Sequence, residues 1–128
     1  MKKVVITGSV FSGRGEGVRF LELPWVKQQM EDKLGFTPYN GTLNIRLSKE
    51  GTKKRELLEK SASIEICPAE GYCSGKIFKA SMGAVECAVV LPEVAGYPEN
   101  VLEIIAPFNL RERLQFVNDD EITVTVAL

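Results

Sequence analysis

Histidine is absent from the 128 residues. That excludes a Ser-His-Asp or Cys-His nucleophile system, an imidazole general base and every histidine-containing metal site. Cysteine is scarce: Cys67, Cys73 and Cys87 form no CxxC pair, and three cannot build a four-cysteine zinc site within one chain. An odd, unpatterned set fits a reduced compartment, so a cytoplasmic setting is expected. The opening apolar run around Val4–Ile6 is too short for a signal peptide, and no stretch approaches the ~18 apolar residues of a membrane span. No membrane association is therefore expected. An excess of one charge is missing too. Sixteen basic and seventeen acidic residues give a net charge of -1, a poor match to a protein that grips nucleic acid through a basic face. The remaining chemistry belongs to carboxylates, amides, hydroxyls, Lys/Arg and the backbone.

What is present is an ordinary globular composition, 45% hydrophobic and 26% charged. A chain of this size buries roughly two thirds of its unfolded surface on folding. No repeat, low-complexity tract or Pro/Gly/Ser linker divides it, so residues 1–128 read as one domain. Short apolar runs with period-two character predict strands at Val4–Val10, Val18–Leu23, Thr42–Leu47, Ser63–Cys67, Lys76–Ser81, Val85–Leu91, Val101–Ala106 and Ile122–Leu128. The Thr42–Leu47 run alternates, with Leu43, Ile45 and Leu47 on one face and Thr42, Asn44 and Arg46 on the other. Pro24 suits a helix start and Gly35 its stop, with Trp25 and Phe36 seating that helix on the sheet. Thr52–Lys60 has the charge density of an exposed helix or a mobile loop, and Leu110–Gln115 allows one helical turn. So many short strands in so small a chain predict a mainly β fold closed into a barrel, its ends capped by short helices, because closure removes exposed strand edges.

Three constellations carry candidate chemistry. Glycines at alternate positions in Ser12-Gly13-Arg14-Gly15-Glu16-Gly17 let the backbone lie close to a ligand and gather N–H groups around an anion. The same segment is also consistent with a plain glycine-rich hairpin, and it is neither a Walker A loop nor a dinucleotide fingerprint. Thr42 and Asn44 stand two apart on one strand face, about 6.5–7 Å between Cα atoms. A hydroxyl and a carboxamide oxygen so placed suit a small hard cation such as Mg²⁺, provided a triphosphate supplies the negative charge; the alternative is a solvated polar face. Glu103 interrupts the apolar strand Val101–Ala106, so its carboxylate is solvated, paired or functional. Facing a cavity, it would accept a hydrogen bond from a substrate hydroxyl. Lys27 and Arg14 would add positive charge suited to phosphates, the alternative being that each is simply solvated.

Taken together, these segments resemble the archaeal CTP-dependent riboflavin kinase family. The resemblance rests on Ser12-Gly13-Arg14-Gly15-Glu16-Gly17, on Leu23-Pro24 with Lys27, on Gly35-Phe36-Thr37-Pro38-Tyr39-Asn40-Gly41-Thr42-Leu43-Asn44, and on Glu103-Ile104-Ile105-Ala106-Pro107 followed by Leu110-Arg111-Glu112. They occur in family order across essentially the whole chain, whereas residues 48–83 match poorly.

The resemblance implies a small closed six-stranded cradle-loop barrel. It implies nucleotide contacts at Gly13, Arg14, Gly15, Glu16, Gly17 and Val18 and at Phe108, Asn109, Leu110 and Arg111. Magnesium ligands fall on Thr42 and Asn44, and flavin contacts on Glu103 and Ala95. Alanine at 95 departs from the hydroxyl residue usual there, with Tyr97 or a backbone group as the replacement. The reaction so implied joins riboflavin and CTP, with Mg²⁺, to give FMN and CDP, with Glu103 the candidate catalytic carboxylate. It calls for no nucleic acid and no obligatory protein partner. No preceding DNA-binding helical domain, as some relatives carry, is expected. Two other readings are open: a non-catalytic flavin- or nucleotide-binding barrel, and a swapped-hairpin-like DNA-binding barrel.

Overall fold

The computed structural model describes residues 2–13, 23–61, 63–66, 75–92 and 96–128. In chain order they form β1 (Lys3–Phe11), α1 (Pro24–Leu34), β2 (Leu43–Leu47), α2 (Lys49–Glu59), β3 (Ile64–Ile66), β4 (Gly75–Met82), β5 (Val85–Pro92), β6 (Val101–Ile105), α3 (Leu110–Leu114) and β7 (Glu121–Ala127). The sheet runs β4-β5-β6-β2-β1-β7, every pairing antiparallel, and closes where Ala80 and Ser81 of β4 meet Val126 and Thr125 of β7. Six strands make the ring, as the family resemblance implied. The short β3 adds a seventh outside it, pairing with the start of β4 at Gly75–Ile77, so one edge of β4 is shared between β3 and β7 while β5 lines the other along its length. The strand expected over Val18–Leu23 lies almost wholly outside the described residues.

Period-two alternation fills the barrel. Ile6 and Val10 of β1, Leu43, Ile45 and Leu47 of β2, Val89 and Leu91 of β5, Leu102 and Ile104 of β6, and Ile122, Val124 and Val126 of β7 meet in one cluster. Side chains occupy the interior, so it is a core rather than a ligand cavity. Helices α2 and α3 close opposite ends, contributing Leu58 and Leu110 to that cluster. Both are locally capped: Ser48 Oγ accepts from Gly51 N at 3.2 Å, and Asn109 Oδ1 accepts from Glu112 N at 3.2 Å.

Helix α1 behaves differently, because it covers an outer face instead of an end. Pro24 opens it, and Gly35 ends it in the left-handed region at φ 83°. Its Val26 and Met30 pack on Ile77, Ala88, Val90 and Ile105, with Trp25 and Phe36 at the margin. This explains why β5 reads as a continuous apolar run from Cys87 to Pro92: Cys87, Val89 and Leu91 enter the barrel, and Ala88 and Val90 lie beneath α1. Cys87 is in the interior set, and burial pushes its thiol from 9.0 up to about 12, which keeps it protonated and unreactive at neutral pH. Cys67 and Cys73 lie outside the described residues.

Met30 is fully buried at the centre of the α1 seam. Met30→Ala should cost about 2–4 kcal/mol by emptying that seam, read as a lower urea midpoint with the slope unchanged.

Candidate functional site

The sequence-predicted site residues that the structure describes gather along the outer wall formed by β2 and β6. The pairing places Asn44 opposite Glu103 and Leu43 opposite Ile104. Leucine and isoleucine enter the core, so Thr42, Asn44 and Glu103 share the outward face. Thr42 Oγ1 donates to Glu103 Oε1 at 3.0 Å, and Tyr97 OH donates to Glu103 Oε2 at 2.5 Å. Glu103 is half-buried and faces neither the barrel interior nor open solvent alone. It sits at the edge of the α1 footprint, beside Val90 in register.

Strand β1 delivers the start of the glycine-rich segment to the same place. Phe11 pairs with Asn44, and Gly13 follows two residues later. A Cβ built on Gly13 would lie 2.6 Å from Asn44 Nδ2 and 3.0 Å from its Cγ. Glycine here lets the Asn44 carboxamide lie against the backbone, and a Cβ would have to displace it. Asn44 Nδ2 is 3.5 Å from Thr42 O, which leaves Oδ1 without a donor among the described residues. Arg14, Gly15, Glu16, Gly17 and Val18 lie outside the described residues, and so does Ala95.

The segment after β6 completes the site from the α3 end. A cavity of about 160 Å³ is lined by Tyr39, Thr42, Phe108, Asn109, Leu110 and Arg111, among others. It joins the Thr42 strand to the Phe108–Arg111 stretch, two segments that the sequence could only nominate separately. Among the described residues of that lining, Arg111 carries the formal charge. Its Nη2 donates to Phe11 O at 3.3 Å and to Asn118 Oδ1 at 2.9 Å, while Ser12 Oγ donates to the same Asn118 oxygen at 3.2 Å. The root of the glycine segment and the α3 segment are therefore tied together. Phe108 is held from its other side by Arg113, 4.4 Å from the ring centroid.

A larger cavity, about 400 Å³, opens towards the α2 end and is lined by Arg55, Lys76, Leu91, Pro92 and Tyr97 with Glu59 and Glu99. Arg55 is a correction to the expectation for Thr52–Lys60. The segment is an ordered helix, and this arginine is only 4% exposed. Its Nε donates to Val101 O at 2.9 Å, its guanidinium pairs with Glu59, and it stacks 5.6 Å from the Tyr97 ring centroid. Nothing in the charge-dense run Thr52–Lys60 marks one arginine as buried. Tyr39 and Asn118 were likewise unassigned, since Tyr39 meets Asn109 across 70 positions and Asn118 meets Ser12 across 106. Lys27 is half-buried on α1, and no described contact joins it to the wall.

The donor set on this face consists of oxygen atoms: the Thr42 hydroxyl, the unfilled Asn44 Oδ1 and the nearby Glu103 carboxylate. Hard oxygens of this kind fit Mg²⁺, which keeps waters and takes further ligands from phosphates. Among the described residues no group of three His, Cys, Asp or Glu could hold a metal ion. None of their helices is long and apolar enough to cross a membrane.

A family model with the short name CTP-dep_RFKase and the description "Domain of unknown function DUF120" matches residues 10–126. Among curated proteins, the chain is 39% identical to a riboflavin kinase of Pyrobaculum aerophilum, over 96% of this chain and 60% of that protein. It is 38% identical to one of Archaeoglobus fulgidus, over 98% and 55%, and 36% identical to one of Methanosarcina barkeri, over 93% and 55%. The chain thus spans a little over half the length of these relatives.

Gly13→Ala should push the Asn44 carboxamide off its present position while leaving the barrel folded. The Asn44 side-chain amide signals in a ¹H–¹⁵N spectrum should shift, with most backbone amides unmoved. Unmoved Asn44 signals would show that the close approach is not fixed.

Proposed function

This chain belongs to the CTP-dependent riboflavin kinase family, and from that premise we propose that it transfers the γ-phosphoryl group of CTP to the terminal ribityl hydroxyl of riboflavin. The products are FMN and CDP. The ribityl oxygen bonds to the γ-phosphorus as the bond from that phosphorus to the β,γ-bridging oxygen breaks, and the hydroxyl proton is released. Such a transfer passes through a loose transition state, so the protein's work is alignment and charge neutralisation. The observation that carries the reading is Glu103 tied to Thr42, with Asn44 across the β2–β6 ladder.

Each group on the wall then has a task. The backbone at Gly13 would approach the phosphates, and the Phe108–Arg111 cavity takes part of the nucleotide, with Arg111 suited to its negative charge. Thr42 Oγ1 and Asn44 Oδ1 would hold Mg²⁺. Because the Thr42 proton is spent on Glu103, its oxygen lone pairs stay open to a cation. When bound, the ion neutralises charge on the phosphate oxygens. Glu103 has room for the acceptor. A carboxylate offers about four lone-pair sites, of which Thr42 and Tyr97 fill two. A remaining site accepts from the ribityl hydroxyl, orienting its oxygen towards phosphorus and giving the proton a place to go. The 400 Å³ cavity is the space we assign to the flavin ring, with Tyr97 and Pro92 in its lining beside charged groups.

The deciding experiment incubates the protein with riboflavin, Mg²⁺ and CTP, ATP, GTP or UTP in turn, and looks for FMN by chromatography. FMN formed best with CTP is expected, and its absence with every donor would overturn the reading. Binding of riboflavin without turnover would instead favour a flavin-binding barrel. With activity in hand, Thr42→Ala combined with Asn44→Ala should lower turnover about tenfold or more through loss of two oxygen donors. Normal FMN production by that variant would remove the metal assignment. Glu103→Gln should depress kcat while leaving the nucleotide KM nearly unchanged, the signature of a group acting on the acceptor.

A further inference from the structure

Tyr97 lies on the short return from β5 to β6, and the end of that turn is pinned where Leu47 N donates to Asn100 O at 2.7 Å. Its side chain is held at both extremities. The ring packs beneath the Arg55 guanidinium, and that arginine is buried and anchored on Val101 O. At the other end the phenolic hydroxyl donates to Glu103 Oε2. The second carboxylate oxygen takes the Thr42 hydroxyl. With a single donor, the Glu103 carboxylate would turn about its broad terminal torsion. With donors on both oxygens its plane is fixed, and so are the directions of its unused lone pairs. Alanine at position 95 has no hydroxyl to offer. Two residues later the chain supplies one, from a side chain long enough to reach β6.

We propose that Tyr97 is a positioning residue for the phosphoryl acceptor. Its hydroxyl sets the Glu103 carboxylate so that a free lone pair meets the ribityl hydroxyl, while its ring walls the cavity on the α2 side. Helix α2 takes part at one remove, since Arg55 holds the ring. This inference rests on the kinase reading above, because it assigns Glu103 to the acceptor.

The test is a double-mutant cycle on FMN formation, using the intact chain with saturating CTP and Mg²⁺ and with riboflavin varied. Tyr97→Phe keeps the ring under Arg55 and removes only the O–H donor. It should lower kcat about tenfold with the nucleotide KM within about twofold. Glu103→Gln should lower kcat further. The double variant, followed for long enough to quantify slow turnover, should match Glu103→Gln, because Tyr97 acts through Glu103 and has nothing left to set. Losses that multiply in the double variant would make Tyr97 a purely structural wall and overturn the inference. So would a Tyr97→Phe rate within about twofold of the parent. Absence of FMN from the parent chain with every nucleotide would overturn the kinase reading itself, and this inference with it.

Discussion

The antiparallel register between β2 and β6 is the constraint on which the site depends. It sets Asn44 against Glu103 and Leu43 against Ile104, and the side-chain period of two then sorts these residues to opposite faces. A slip of one residue in either strand would turn a polar group into the barrel and an isoleucine or leucine out to water. Leu43, Ile45, Leu102 and Ile104 are all 5% exposed or less. Each is worth roughly 1.5–3 kcal/mol of burial, so the core holds the register far more firmly than the hydrogen bonds among Thr42, Tyr97 and Glu103 could. Packing of the interior and geometry of the outer wall are therefore one constraint seen from two sides.

Helix α1 then decides how much of the outer surface is available. It seals the apolar residues of β4, β5 and β6 at Ile77, Ala88, Val90 and Ile105, and its footprint stops short of Glu103. A carboxylate at that boundary has a dry flank and a polar flank. There, among the described residues, hydroxyl donors from Thr42 and Tyr97 satisfy it with no ion pair to a cation. Such a setting suits a group that must keep its orientation while meeting a ligand. The two ends of the wall differ in the same way. The α3 end carries the small cavity with Arg111, and the α2 end the larger cavity with Arg55 and Lys76, so a ligand pair laid along β2 and β6 would meet distinct surroundings at either end.

Much of this was open to a reader of the sequence. The Pro24 and Gly35 bounds of α1, the alternation of Thr42–Leu47 and the isolated acid in Val101–Ala106 are local signals, because propensity and periodicity act over a few residues. The wall partners of Glu103 were not legible. Tyr97 reaches it only because the 96–100 turn folds back along β6, and Arg55 is buried only because α2 closes the barrel end over Val101. The hold of Arg111 on Phe11 crosses 100 residues of chain and leaves no trace in local pattern.

From its amino acids alone the chain was bound to be histidine-free in its chemistry, mainly β and closed, with a hydroxyl and a carboxamide on one strand face and a carboxylate in a later strand. Whether that carboxylate lay inside the barrel, in water or against the same hydroxyl was decided by tertiary structure. Alternation says that a residue faces away from its neighbours in sequence. Strand order, closure and the placement of α1 say what it faces towards, because those follow from contacts between segments far apart in the chain.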